Sequence, residues 1–168
     1  MFGTLMLLAV PTALFRLLGA FGVRRFATWR VSAVHGLAVM LVFTATAHFL
    51  PSSVGPIPGR HDLVAMVPPF VPFPGLAVYA TGVLELLGAA GLVRQVTRRS
   101  AGIGLAALFV LMLPANIYAA VERIPFNGEA ATPLWFRIPE QMVFIGIALW
   151  ACTPVRAATT RRADAAPA

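Results

Sequence analysis

The stretch Tyr79–Val93, YATGVLELLGAAGLV, is a long apolar run with one carboxylate, Glu85, near its middle. Such a run is membrane material. A charge at the bilayer centre costs roughly 2.5–3.5 kcal/mol on insertion scales. Glu85 is therefore expected to be neutral, or turned towards a partner inside the protein. What it faces is the central question about function.

The rest of the chain fits the same solvent. Charged residues make up 11% of it, hydrophobic residues 59%, and the mean hydropathy is +0.83. A soluble domain carries roughly 25% charged residues, so this chain lacks the groups to cover a surface facing water. The net charge is +7, and all 13 basic residues are arginine. They sit in short clusters between apolar runs, which points to membrane topology and anionic lipid rather than nucleic acid. The lone cysteine, Cys152, excludes an internal disulfide or a paired-thiol redox centre; its place near the end of an apolar run leads to the expectation of a small buried residue.

Taken in order, roughly Phe2–Gly22 is expected to be a first spanning helix, with Pro11 kinking it and Arg16 reaching back to the interface. Because Arg16 shortens the clean run below about 20 residues, an interfacial helix is the alternative. Val31–Leu50 is the second span and holds His35 and His48. The connector Pro51–Gly75 contains seven prolines, too many for a continuous helix, with one short helical turn expected near His61–Val67. Leu76–Val93, Ala101–Val121 and Leu134–Cys152 are the remaining spans; Pro114 lies inside the fourth, and Trp135 and Trp150 bracket the last. The fold class is all-α, a polytopic membrane helical bundle of four core transmembrane helices plus an N-terminal fifth. Residues 1–30 form the apolar helix and basic loop, 31–152 the four-helix domain, and 153–168 a basic disordered tail.

Loop charges set the orientation. Arg24, Arg25, Arg30, Arg94, Arg98, Arg99, Arg156, Arg161 and Arg162 fall on one side, against Arg60, Arg123 and Arg137 on the other. The arginine-rich side is expected to be cytoplasmic. The N-terminus is then outside, the C-terminus is inside, and the protein is a multi-pass component of the cell membrane.

That orientation places the intramembrane polar residues at similar depths. At 1.5 Å per residue, His48 lies about 3 Å from the outer end of its span, Arg137 about 5 Å, Asn116 about 8 Å, Glu140 about 9 Å and Glu85 about 14 Å. Arg137, Glu140, Gln141 and Phe144 share one helix face, and Arg137 and Glu140 are spaced to pair. Thr81, Glu85 and Gly88 share a second face, and Thr44 and His48 another. His35 and His48 lie about 220° apart around their helix, a poor metal pair, and no metal site is expected. His48, Glu85, Asn116, Arg137 and Glu140 therefore form the candidate cluster. It is either a hydrogen-bond network holding the bundle together, or the lining of an outward-opening pocket for a lipid-soluble head group or a proton relay. A Gly-rich phosphate loop, a zinc-protease motif and a nucleophile elbow are all missing from the sequence, so no catalytic residue is assigned.

Four segments together resemble the DoxX and DoxX-like family of small membrane proteins. They are TAHFLP ending the second span, YATGVLELLGAAGLV, LPANIYAAV ending the fourth, and LWFRIPEQMVFIGIALW. The resemblance runs from about Val31 to Trp150 and implies a four-helix membrane core, to which Met1–Gly22 is an addition. It implies a non-catalytic membrane subunit or anchor of a redox or oxidative-stress system, with a quinone or other lipophilic molecule as the expected ligand. Implied partners are the bilayer, a soluble redox enzyme, another membrane subunit or a second copy of the chain. The alternatives are a small-molecule binder or transporter using the outward-facing cluster, and an assembly factor for another membrane protein.

Overall fold

Helix α2, Trp29–Phe49, is the axis of the molecule. The computed structural model describes residues 2–52, 57–130 and 132–153. Packed against α2 are α1 (Gly3–Ala20), α4 (Pro74–Val93) and α6 (Leu134–Trp150), with α5 (Arg98–Val121) across the bundle between α4 and α6; a short helix α3 (Arg60–Ala65) lies in the proline-rich connector, and a 3-10 turn, Arg24–Phe26, joins α1 to α2. Helices α2, α4, α5 and α6 pack in sequence, α6 returns to α2, and α1 lies along the outside of α2. All the expected spans are helices, with ends shifted by at most three residues. The disordered tail expected over 153–168 lies, beyond Thr153, outside the described residues.

Four helices, α1, α2, α4 and α5, are long and apolar enough to cross a membrane. At 17 residues, α6 is shorter; 1.5 Å per residue gives it about 26 Å, against about 30 Å of hydrocarbon. Its flanking Trp135 and Trp150 are both exposed, as interfacial anchors require. The outward faces carry Leu14, Phe43, Leu87, Leu111 and Val143, all exposed. Water does not tolerate so continuous an apolar surface, and lipid does.

Inside, Leu37, Leu41, Leu92 and Val34 are almost wholly enclosed, with Phe109 and Phe144 packed at 6.0 Å between ring centroids. Because lipid supplies no hydrophobic drive between helices, close approach through small residues has to hold the bundle. Gly36 faces Thr12 and the Leu8 backbone of α1, and Gly102 faces the Ala148 backbone of α6. The N-terminal helix is therefore seated in the bundle: Leu8 is buried and joins the main core. The guanidinium of Arg16 lies 5.7 Å from the Trp29 ring at the start of α2.

The arginine-rich end also has a structural role. At the C-terminus of α4, Arg98 donates from Nε to the Leu92 carbonyl at 2.9 Å, and Arg25 donates to the Val93 carbonyl at 2.9 Å. These are carbonyls that a helix end leaves without partners, and cations there also meet the negative end of the helix dipole. Arg98 is buried and Arg99 beside it is exposed. Hydrogen bonds from charged donors contribute about 1.5–3 kcal/mol. Arg98→Ala should therefore lower stability by about 2 kcal/mol in mixed-micelle denaturation, while Arg99→Ala should stay within about 0.5 kcal/mol.

Candidate functional site

Two helix faces read from the sequence meet directly. On α2, Thr44 and His48 stand one turn apart; on α4, Val78, Thr81 and Glu85 lie opposite them. The His48 ring is bonded through Nδ1 to the Val78 carbonyl at 2.7 Å, with the Thr81 hydroxyl 3.3 Å from the same nitrogen. Its other nitrogen, Nε2, points to Glu85 Oε1 at 3.7 Å. Thr44 donates to Glu85 Oε2 at 3.4 Å. Both His48 and Glu85 are buried, at 4% exposure each, so the carboxyl faces protein rather than hydrocarbon.

Gly82 makes this meeting possible. A Cβ at that position would stand 2.5 Å from His48 Cβ and 2.8 Å from Cγ. Only a residue without a side chain lets α4 approach the imidazole so closely.

The chemistry of the pair follows from its bonds. Nδ1–H donates to the Val78 carbonyl, which fixes the ring orientation. Nε2 is then an acceptor in the neutral ring or a second donor in imidazolium. Opposite it, the carboxyl is a donor when protonated and an acceptor when ionised. At 3.7 Å the two attract but are too far apart for a direct hydrogen bond. A hydroxyl or carbonyl reaching them would find both a donor and an acceptor.

The other three candidate residues do not join this pair. Glu140 is buried on α6 and accepts from the Thr4 hydroxyl of α1. The expected Arg137–Glu140 ion pair is corrected: among the described residues the only charged contact within 4 Å is His48–Glu85. A threonine on a neighbouring helix reaches the carboxyl instead. Arg137 is half-buried, and its Nε has no hydrogen-bond partner among the described residues. Asn116 is buried on α5 at 9% exposure. The single convergent cluster expected from depth is thus two sites, one between α2 and α4 and one between α1 and α6. Equal depth places groups in one layer of the membrane but does not say which helices are neighbours.

Sequence reasoning missed Thr4, Gln141 as a partner of α5, and Arg25 with His35. The Gln141 amide donates to the Phe109 carbonyl at 2.9 Å, tying α6 to α5. His35 bonds the Val31 carbonyl through Nδ1 at 2.7 Å and meets the Arg25 guanidinium at Nε2, 3.1 Å away. Nothing in the sequence singled out Thr4, a hydroxyl in an apolar run. An arginine a few residues beyond the end of α4 was the signal for Arg98; Arg25 follows α1 in the chain and reaches α4 only through the fold.

Neither the curated proteins nor the solved structures offer a match to this chain. A family model does match residues 37–152, from the middle of α2 through α6, leaving α1 outside. The chain belongs to the DUF8561 family, described as a domain of unknown function.

Proposed function

We propose that the chain is a DoxX-like, non-catalytic membrane subunit or anchor of a redox or oxidative-stress system, and that His48 and Glu85 hold the polar head of a lipophilic molecule such as a quinone. The orientation that goes with this reading puts the N-terminus outside the cell and the C-terminus in the cytoplasm, following the arginine bias of the loops. One observation carries it: two proton-bearing groups on different helices, buried in the apolar bundle, turn their active atoms towards each other at 3.7 Å. Ionisable groups inside a membrane are costly and mark ligand or proton sites by default. A quinol hydroxyl donating to Nε2 while its oxygen accepts from the protonated Glu85 carboxyl would use both functions at once.

The test is purification from native membrane, with quantitation of bound quinone for wild type and Glu85→Gln. Glutamine keeps the shape and the acceptor oxygen but cannot give up or take a proton. The expected result is near-stoichiometric quinone in wild type and at least a tenfold drop in a variant that folds normally. Wild-type protein free of quinone would overturn the reading. A second reading, an assembly factor held together by these polar contacts, is favoured by the Thr4–Glu140 bond, which links α1 to α6 as a structural tie does. A stoichiometric membrane-protein client in the same preparation would support it.

A further inference from the structure

Between the inner halves of α4 and α5 runs an open groove of about 500 Å³, within the range of about 300–1,000 Å³ typical of ligand clefts. We infer that it seats one acyl chain of an anionic phospholipid, with the phosphate held at its mouth by Arg94. The inference does not depend on the His48–Glu85 reading, because the lining of the groove, which starts at Leu84, includes neither Glu85 nor His48.

Three observations commit the groove to this occupant. The first is its length. It extends along α4 from Leu84 to Arg94, ten residues apart, which at 1.5 Å per residue is about 15 Å. That is one leaflet of a hydrocarbon core about 30 Å thick, whereas a partner's transmembrane helix would need the whole thickness. The second is its polarity. Leucines and glycines line the deep part, Leu84, Leu87 and Gly104 among them, and the polar side chains Arg94, Thr97 and Ser100 gather at one end. A lipid has the same arrangement of tail and head.

Charge is the third. Arg94 is exposed and makes no hydrogen bond or ion pair among the described residues. Arg25, Arg30 and Arg98 stand at the same end of the bundle. The carboxylates of the described residues lie elsewhere: Asp62, Glu122 and Glu129 follow or precede the opposite helix ends, and Glu85 and Glu140 lie within spans. Among the described residues this face therefore has no counter-charge, and a lipid phosphate supplies it.

Gly104 offers a clean way to test the groove, because a Cβ there would meet nothing within 4 Å. Gly104→Phe fills the groove without a clash against neighbouring helices. Gly146 on α6 also has open space around it, so Gly146→Phe is the control. Native mass spectrometry of the detergent-purified full chain, titrated with phosphatidylglycerol or phosphatidylcholine, reads the outcome. Wild type should retain phosphatidylglycerol over phosphatidylcholine. Arg94→Gln should weaken phosphatidylglycerol about fivefold, the worth of one arginine at an anionic surface. Gly104→Phe should abolish the tightest site, and Gly146→Phe should leave it intact. Equal retention of the two lipids, or unchanged phosphatidylglycerol binding in Gly104→Phe, would overturn the inference. So would a wild-type dimer that Gly104→Phe dissociates while lipid retention stays the same, since the occupant would then be a second copy.

Discussion

His48→Ala should destabilise the protein by about 2–4 kcal/mol, measured by denaturation in mixed micelles, and most of that loss should come from lost volume rather than lost polarity. Hydrogen bonds between membrane helices average only about 0.6 kcal/mol, because the unfolded chain in lipid finds other partners. The ring's hydrogen bond to the Val78 carbonyl and its weaker attraction to Glu85 thus account together for at most about 1 kcal/mol. Removing a large buried ring costs more: aromatic-to-alanine changes reach about 3–5 kcal/mol. Here the gap would open beside Gly82, which has no side chain to fill it. His48→Leu separates the terms, since it keeps most of the volume and should cost only about 1 kcal/mol. Glu85 would still be left facing leucine, so the double variant His48→Leu, Glu85→Leu should recover much of the remainder, as apolar replacement of a whole buried pair often does. If wild type carries the proposed quinone, a double variant that folds well without it would separate the role of the pair in binding from its role in packing. An alanine variant as stable as wild type would mean that the ring does not hold α2 against α4.

How much of this was legible in the sequence depended on the kind of physics involved. Helix positions followed from run length and charge spacing, since lipid leaves the backbone little choice. The partners of Glu85 were half legible: Thr44 with His48, and Thr81 with Glu85, could each be placed on a shared face, and those faces do meet. Glu140 was less readable. Its i, i+3 arginine is a local signal, but its partner, Thr4, lies 136 residues away on α1, and no periodicity points to it. Arg98 shows another limit. Counting it as a topology charge assigned a side of the membrane and gave no hint that its Nε closes the end of α4. Glycines were legible as small residues near polar ones, but which of them faced a backbone and which faced open lipid was not.

Two glycines on α5 turn that last difference into a measurement. Gly102→Leu should prevent stable assembly or lower stability by more than about 3 kcal/mol, while Gly104→Leu, two residues further on, should raise it by about 0.5–1 kcal/mol. Leucine brings the same gain in helix propensity at either position, so propensity cancels in the comparison. Surroundings do not cancel. At Gly102 a Cβ would lie 2.5 Å from the Ala148 carbonyl oxygen and 2.8 Å from Cys152 Sγ, whereas at Gly104 it would meet nothing within 4 Å. The first obstacle is backbone, which cannot rotate aside as a flexible side chain can, so α6 would have to move away from α5. That movement would also stretch the Gln141 bond to the Phe109 carbonyl and part the Phe109–Phe144 rings. Moving the two helices apart therefore loses several contacts together, and overpacking here should exceed the usual 1–3 kcal/mol of a core insertion. Equal tolerance of leucine at both positions would mean that α5 and α6 do not approach through Gly102, and the order of helices around α2 would have to be redrawn.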